Sequence, residues 1–420
     1  MASHEEMYFP SMTMGQEQRQ PPLAGVRVLE LGSFVAAPLA TRMLADFGAE
    51  VIKVEPPGRG DELRTWGTMV PTRSGHISAW WLAQSRNKRL ITLDLHMSEG
   101  QKLALKLAQH VDIVIENFRP GRLEAWNLGY EQMKAVNPRL VFVRISGFGQ
   151  TGPYRERAGY GNVGESMGGV RYVTGFADRP PVRVGVSMGD ALAAQQAAFG
   201  AMLALRASER DGVGQVVDVA ITESVFALTE AMLTEYKHAG VVREREGNSM
   251  LRAAPSNVYQ TGDGHWLAIG GNGENVFRRL AQAMGQPALA EEERFHNNRA
   301  RVKHHRELDK IISGWVASLT LAEAQDALDE AGVPAGPVMS IADIAADPQY
   351  QARGMIAAVP DSRMPEDITY MSGIIPRLTE TPGSIRHSGG ELGADNQAIY
   401  GDLLGLDPQE LQRLQTEGVL

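Results

Sequence analysis

The sequence predicts an α/β protein in which a large domain with a doubly wound parallel sheet is joined to a smaller second domain. Apolar stretches of strand length alternate with helical stretches over the first half of the chain. Strands separated by helices of this length form parallel sheets with right-handed crossovers. From residue 258 to about residue 330 the pattern changes to a predicted hairpin followed by helical stretches. This change indicates a separate α+β domain.

Each predicted strand of the large domain is short, apolar and followed by a helical segment. The first helix has Pro38 in its first turn, where proline is tolerated, and ends before Gly48. The predicted strands are 26–31, 51–55, 89–95, 111–116, 139–146 and 216–221. The predicted helices include one from Ser98, one that starts at 191 after Asp190, one over 222–236 and a last one within 407–418.

Composition shifts divide the chain further. Residues 332–338 are rich in proline and glycine, which indicates a linker that returns the chain to the first domain. We expect a disordered tail at 1–22, the first part of the large domain at 23–206, a linker region at 207–257, the small domain at 258–331, a return linker at 332–350, and a C-terminal part at 351–420 that completes the large domain.

Charge and composition exclude several classes of function. A net charge of −9 disfavours nucleic acid as a partner, because a phosphate backbone requires a basic surface. The absence of cysteine removes disulfides, thiolate metal sites and a cysteine nucleophile, and it favours a reducing cytoplasm. No apolar run has membrane-spanning length, and no constellation of histidines predicts a metal site. We expect a soluble cytoplasmic protein without a metal, a nucleic-acid partner or a membrane partner.

The segment from Gly159 to Asp190 is rich in glycine and small residues, and a predicted small-residue helix follows it. Glycines let the backbone approach a substrate closely, because they have no Cβ. A carboxylate at the start of a helix meets unpaired N–H groups and the positive end of the helix dipole. Asp190 is therefore predicted either to cap the helix only or to cap it and also act as a stabilised nucleophile.

Two turns at the ends of predicted strands indicate ligand contacts. The segment 117–121 follows a buried strand, and ligands of open α/β sheets bind at the carboxyl ends of strands. Asn117 offers amide hydrogen bonds, Phe118 a stacking face and Arg119 a phosphate contact, although an ordinary strand-to-helix turn has the same composition. The turn after the first strand has one glycine, Gly32, where a dinucleotide fingerprint needs three. A nicotinamide or flavin cofactor is therefore disfavoured.

Several segments taken together resemble the class III coenzyme A transferases. This family includes formyl-CoA:oxalate transferase, carnitine CoA-transferase and α-methylacyl-CoA racemase. The resemblance runs in order from about Leu23 to the C terminus. Its segments are 28–61, 85–95, 114–121, 137–153 and 185–190, with further agreement at 258–269 and 331–338.

This resemblance implies a Rossmann-like large domain built from both ends of the chain, and a homodimer whose two chains form interlocked rings. It implies that CoA and acyl-CoA are substrates, with no tightly bound cofactor, and that Asp190 carries the acyl group during transfer. The implied CoA contacts are Phe34, Val35, Leu93, Asp94, Asn117 and Phe118. Many relatives have an arginine where Ala125 stands here, so one phosphate contact is either absent or supplied by Arg122, and Arg119 is a further expected phosphate ligand.

Departures from the family pattern bear on the substrate. Val35 replaces a glutamine that meets the acceptor in the oxalate enzyme, and Gly161 replaces a glutamate near the aspartate. Residues 247–257 lack the run of glycines that closes over the aspartate in that enzyme. The racemase branch uses a His–Asp pair in the stretch that reads Gly159, Tyr160 and Gly161 here, and this stretch has neither an acid nor an imidazole to act as a base. The sequence therefore favours an acid larger than oxalate and disfavours racemisation.

The predicted function is an acyl-CoA:carboxylate CoA-transferase that works through a mixed anhydride and a CoA thioester on Asp190. We expect succinyl-CoA as donor and a dicarboxylic acid of about four to six carbons as acceptor, held by an arginine such as Arg64, Arg171 or Arg252. Backbone N–H groups at 168–169 are predicted oxyanion donors. The alternatives are an acyl-CoA racemase or isomerase and a catalytically inactive CoA-binding protein.

Overall fold

The computed structural model describes residues 19–250 and 252–420. Their contacts divide the chain into two compact units. The first unit comprises 19–170, 185–230 and 350–420, and the second comprises 171–184 and 231–349. The expected tail at 1–22 lies outside the described residues as far as residue 18.

The helices and strands follow one another along the chain in the order predicted for an α/β protein. The strands are β1 (Arg27–Glu30), β2 (Glu50–Glu55), β3 (Met69–Thr72), β4 (Gly75–Ser78), β5 (Lys88–Thr92), β6 (Ile113–Glu116), β7 (Val141–Ser146), β8 (Val216–Ala220), β9 (Ser256–Gln260), β10 (Trp266–Gly270), β11 (Ala335–Pro337), β12 (Ile356–Pro360) and β13 (Ile368–Ser372). The α-helices are α1 (Ala36–Asp46), α2 (Ala79–Gln84), α3 (Ser98–Ala108), α4 (Arg122–Ala125), α5 (Tyr130–Val136), α6 (Gly161–Met167), α7 (Val170–Val173), α8 (Met188–Asp211), α9 (Ile221–Phe226), α10 (Met232–Ala239), α11 (Glu274–Ala283), α12 (Asn298–Lys303), α13 (His305–Val316), α14 (Leu321–Glu330), α15 (Ile341–Ala346), α16 (Pro348–Ala352) and α17 (Pro408–Thr416). None of these helices is long and apolar enough to cross a membrane, within the part of the chain that the structure describes.

The first unit is built on a six-stranded parallel sheet with the strand order β5-β2-β1-β6-β7-β8, which confirms the predicted parallel sheet. Successive side chains of a strand point to opposite faces, and both faces of this sheet are covered by helices. Leu29 and Ile52 join one buried apolar cluster. Val28 and Val51 join a second cluster, to which α1 and α8 contribute many alanines. The small alanine side chains let these two helices lie close to the sheet.

The strand order places a ligand crevice between β1 and β6. The chain adds β2 and β5 on one side of β1, and then returns to add β6, β7 and β8 on the other side. In open α/β sheets the crevice outside the carboxyl ends of the strands opens where the strand order reverses in this way. The turns that follow β1 and β6 therefore face the same crevice.

Local predictions failed where helices are short. The glycine-rich segment from 159 to 190 contains two short helices, α6 and α7, which the sequence analysis did not predict. The helix predicted over 222–236 is two helices, α9 and α10, and Glu230 between them has a positive φ of 51°. The antiparallel hairpins β3–β4 and β12–β13 were not predicted as pairs. Tertiary contacts outweigh local propensity in such short elements.

The second unit has its own core around a three-stranded antiparallel sheet with the order β11-β10-β9. Leu267 and Ile269 of β10 pack with Phe277 and Leu280 of α11 in one buried cluster. Arg301 is fully buried beside this core, where it donates hydrogen bonds to the Ala254, Phe295 and Asn272 carbonyls and to Glu274. The predicted hairpin of this region corresponds to β9 and β10.

Candidate active site

The turn after β1 is held by a side chain from the turn after β6. The Ser33 N–H donates to Asn117 Oδ1 at 2.9 Å, and Asn117 Nδ2 donates to the Ser33 carbonyl at 2.9 Å. A Cβ on Gly32 would lie 2.7 Å from Asn117 Oδ1, so glycine is required here by close approach. Asn117, predicted as a direct ligand contact, uses its amide to position the backbone of the crevice.

A buried cluster of charged side chains holds the same turn in place. Phe34 has a left-handed φ of 63°, and its N–H donates to Asp61 Oδ1 at 3.3 Å. Asp61 Oδ2 accepts from Lys53 Nζ at 2.6 Å, and Lys53 and Lys88 both bind the Glu30 carboxylate. Burial alone would raise the pKa of Glu30, but the two lysines lower it to about 2. The Glu30 carboxylate therefore stays charged at neutral pH, and the cluster fixes the strained turn at Phe34 through Asp61.

A pocket of about 300 Å³ opens at the predicted crevice. Four of the predicted CoA contacts line it, namely Leu93, Asp94, Phe118 and Arg122. Trp126 forms edge contacts with Phe118, at 5.3 Å between ring centroids, and with His96, at 4.6 Å. The Arg122 guanidinium lies 5.5 Å from the centre of the Trp126 ring. The lining thus includes acidic residues such as Glu62 and Asp94, and beside them aromatic rings and arginines, a combination that suits the base and the phosphates of a nucleotide.

The other predicted contacts lie outside the lining of this pocket. Val35 is buried at the start of α1, and Arg119 is exposed. The lining residues that sequence reasoning missed include Arg59, His96 and Trp126. Arg59 could have been found, because its loop follows the carboxyl end of β2 and contains two glycines.

Phe118 is anchored by a buried acid at the end of β6. The Phe118 N–H donates to Glu116 Oε2 at 2.7 Å, and Arg144 Nε donates to Glu116 Oε1 at 2.7 Å. Arg144 also binds Glu124 of α4. Burial raises the pKa of Glu116 to about 7, although Arg144 acts in the opposite direction. This acid therefore titrates near neutral pH, directly behind a wall of the pocket.

Asp190 lies in the first turn of α8, but it is not the N-cap. The helix begins at Met188 and its N-cap is Ser187, so the capping interpretation of Asp190 is wrong. The carboxylate still lies in the first turn, where the helix dipole stabilises negative charge. A Cβ on Gly161 would lie 2.8 Å from Asp190 Cγ and closer still to Oδ2. The carboxylate therefore packs directly on the backbone of α6.

Two further expectations are corrected. The Gly168 N–H already donates to the Gly164 carbonyl at 2.7 Å, so it is committed to α6 rather than to an oxyanion. Arg64 binds both oxygens of Glu55, at 2.6 and 2.8 Å, and stacks on the Trp81 ring. Arg64 is therefore a structural residue of the first unit. Arg171 and Arg252 belong to the second unit.

Fold and site together define an α/β protein with a pocket lined by arginines and aromatic rings at the carboxyl edge of its parallel sheet, and with an acid packed on a glycine surface. Comparisons with known proteins identify the family within this class. The family model described as CoA-transferase family III matches residues 23–396.

The chain is similar over its length to curated enzymes. It is 51% identical over 404 residues to succinyl-CoA–D-citramalate CoA-transferase of Chloroflexus aurantiacus, covering 96% of this chain and 99% of that one. It is 39% identical over 412 residues to the alpha subunit of succinyl-CoA–L-malate CoA-transferase of Chloroflexus aurantiacus, covering 98% and 95%. A CAIB/BAIF family protein from Brucella suis has a similar structure, with a TM-score of 0.83 and 33% identity over 92% of this chain and all of that one. The chain belongs to CoA-transferase family III, and it is an acyl-CoA:carboxylate CoA-transferase.

Proposed function

We propose that Asp190 is the covalent nucleophile of the transfer. Asp190 Oδ attacks the thioester carbonyl of the donor, the C–S bond breaks, and CoA leaves as thiolate. The thiolate attacks the Asp190 carbonyl of the mixed anhydride, which releases the donor carboxylate and forms the aspartyl-CoA thioester. The acceptor carboxylate then attacks this thioester, and the expelled CoA thiolate attacks the acyl carbonyl of the new anhydride. Acceptor-CoA is released and the Asp190 carboxylate is restored, with no net proton transfer.

The observation that carries this proposal is the position of Asp190 in the first turn of α8, against the bare backbone of Gly161. The helix dipole favours the ionised carboxylate, which is the nucleophilic form. Because Gly161 has no side chain, the Asp190 carboxylate can contact the Gly161 backbone directly. The positions Tyr160 and Gly161 offer no second base, which favours transfer over racemisation.

The pocket between β1 and β6 is the proposed site for the nucleotide part of CoA. Its aromatic residues Phe118 and Trp126 offer faces and edges for adenine, and Arg59 and Arg122 offer charge for the phosphates. Phe34, Val35 and Asn117 shape the turn beside it, and Leu93 and Asp94 form the wall contributed by the end of β5. Arg119, exposed on the same loop as Phe118, is a further phosphate ligand in this proposal.

Succinyl-CoA is the proposed donor, and a dicarboxylic acid of about four to six carbons is the proposed acceptor. Val35 stands where the oxalate enzyme has a polar residue, which favours an acceptor with an apolar carbon chain between its two carboxylates. An arginine would bind the distal carboxylate of this acceptor through two hydrogen bonds. The names of the similar enzymes support this choice, because D-citramalate and L-malate are both dicarboxylates. We place the reaction in the reducing cytoplasm, which a chain without cysteine suits.

The proposed assembly is a homodimer of interlocked chains, in which both ends of the chain complete the large domain. Large apolar side chains of the first unit are exposed, including Phe199 and Leu203 on one face of α8 and Phe226 and Leu228 after β8. Exposed apolar surface of this kind marks contact sites between proteins. A second copy of the chain would cover it.

The decisive experiment replaces Asp190 by asparagine. Because Asp190 is not the N-cap, Asp190→Asn should lose only the interaction of its charge with the helix dipole, which should cost at most about 1 kcal/mol of stability. The amide cannot form the anhydride, so kcat should fall by several orders of magnitude. Hydroxylamine or borohydride added during turnover should modify wild-type Asp190, identified by mass spectrometry, and leave the variant unmodified. Exchange at a near wild-type rate in the variant, with deamidation excluded by mass, would overturn the mechanism.

A second experiment tests the substrates. Acyl-CoA donors are incubated with a panel of carboxylic acids, and the CoA products are identified by mass spectrometry. Succinyl-CoA with a dicarboxylate of about four to six carbons should give the highest kcat/KM, because an arginine that binds the distal carboxylate bidentately favours acids with a second carboxyl group. Faster transfer from formyl-CoA to oxalate would contradict the proposed substrates, and inversion of the α-carbon without transfer would favour the racemase alternative.

A further inference from the structure

A second acid lies beside the proposed nucleophile. Glu165 is only 1% exposed, and its Oε1 accepts the Gly189 N–H at 3.2 Å. Gly189 immediately precedes Asp190 in the first turn of α8. Residues four apart share one face of a helix, so Gly161 and Glu165 of α6 both face this turn. One contacts the Asp190 side chain, and the other holds the backbone next to it.

Helix α6 itself is tightly fixed within the first unit. A Cβ on Gly164 would lie 2.5 Å from Ile221 Cγ2, and a Cβ on Gly168 would lie 2.6 Å from Val225 Cβ, both on α9. These close approaches leave α6 little freedom to slide along α9. Glu165 therefore extends from a rigid support, and its hydrogen bond sets where the first turn of α8 lies.

If packing were the only requirement at position 165, a glutamate there would be unfavourable for folding. Burial of a carboxylate is unfavourable unless its oxygens accept hydrogen bonds. The first N–H groups of a helix have no partner within the helix, and a hydrogen bond from one of them to a carboxylate is charge-assisted. Glu165 thus satisfies a helix terminus that Ser187, whose side chain makes no capping hydrogen bond, leaves open.

We propose that Glu165 is a positioning residue for the transfer reaction. By accepting the Gly189 N–H it holds the first turn of α8 in the orientation that presents the Asp190 carboxylate to the thioester. This inference rests on the proposed role of Asp190 as nucleophile. It assigns no bond-making step to Glu165.

The test compares Glu165→Ala with Glu165→Gln and with a control on the same helix, Ser166→Ala, whose side chain is exposed. Glu165→Ala removes the acceptor, so kcat should fall on the order of 100-fold, as expected for a nucleophile displaced by about 1 Å. KM for succinyl-CoA should stay within about twofold, because the CoA pocket does not include Glu165. Glu165→Gln retains an oxygen acceptor and should recover most of kcat, and Ser166→Ala should match the wild type.

The outcomes separate this inference from the mechanism beneath it. A folded Glu165→Ala enzyme with kcat within about twofold of the wild type would overturn the positioning role. So would a Gln variant as slow as the Ala variant, or a loss that lies only in KM or in the unfolding temperature. If Asp190→Asn, measured in parallel, keeps full exchange, the nucleophile assignment fails instead. Hydroxylamine trapping at Asp190 should decline in Glu165→Ala in proportion to kcat.

Discussion

At the scale of single residues, the candidate site depends on the absence of a Cβ atom at two glycines as well as on the side chains that are present. Gly161 brings bare backbone to the Asp190 carboxylate, and Gly32 does the same for Asn117. Neither glycine has a positive φ, so steric contact rather than backbone conformation requires the residue type. Substitution of Gly161 should therefore change the position of the Asp190 side chain more than it changes the fold, whereas a Cβ on Gly32 would also lie too close to the Cβ of Ala37, which only a backbone movement can relieve.

Gly161→Ala provides a direct test at this scale. The new Cβ would lie 2.8 Å from Asp190 Cγ, and the carboxylate can move away because it ends a side chain. We expect kcat to fall on the order of 100-fold with the fold retained, since displacement of a reacting group by about 1 Å has such an effect. Steady-state kinetics and thermal unfolding measure both quantities.

The matched control is Gly314→Ala in α13, where a Cβ would meet no atom within 4 Å. This variant should leave kcat unchanged and keep or raise the unfolding temperature, because alanine favours helix. Equal kinetics for the two variants would show that the contact between Gly161 and Asp190 has no role in the reaction.

At the scale of secondary structure elements, functional groups collect at the carboxyl ends of the parallel strands. Glu55 ends β2 and binds Arg64, and Glu116 ends β6 and holds Phe118. These two acids thereby connect the ends of β2 and β6 to the loops that form the pocket. Because Glu116 is buried and holds the Phe118 backbone, its protonation links pH to both stability and the shape of the pocket.

Glu116 predicts a specific dependence of stability on pH. Burial raises its pKa from 4.5 to about 7, so between these values the folded protein keeps a proton that the unfolded chain releases. The free energy of unfolding should therefore decrease as pH rises from 4.5 to 7, through Glu116 alone by about 3 kcal/mol at most. Urea unfolding of the wild type and Glu116→Gln across this range measures the difference.

In that comparison, the stability difference between wild type and Glu116→Gln should shift against the wild type as pH rises. Glu131→Gln, on the exposed surface of α5, is the control and should show a constant difference from the wild type. A difference for Glu116→Gln that is equally constant would rule out titration of Glu116 near neutral pH.

At the scale of the whole molecule, the exposed apolar face of α8 predicts obligate association. The proposed interlocked dimer cannot separate without unfolding, so dilution should not release a folded monomer. Sedimentation at nanomolar concentration should give a dimer. Replacement of Phe199 and Leu203 by serine should lower the yield of folded dimer, whereas a folded, active monomer at high dilution would contradict the assembly.

The sequence by itself determined the parallel α/β sheet, the family resemblance and the candidate nucleophile. Strand periodicity, turn glycines and the order of motifs are local signals, and local signals are readable without a structure. The predicted strands accordingly lie within a few residues of β1, β2 and β5 to β8. Asp190 and Phe118 were likewise named from their places at the ends of predicted elements, and Arg122 was named from the family resemblance.

Only the tertiary structure decided how these residues act. Asn117 binds Ser33 across 84 positions of sequence, and Glu165 reaches Gly189 across 24. Because α8 starts at Met188, Asp190 lies in the first turn and not at the predicted cap position. Because Arg64 is paired with Glu55, it is no longer a candidate ligand. Such contacts join residues far apart in the chain, and they are selected by packing and by the need to pair buried charges. No local pattern encodes that choice, because it depends on which elements become neighbours in the folded sheet.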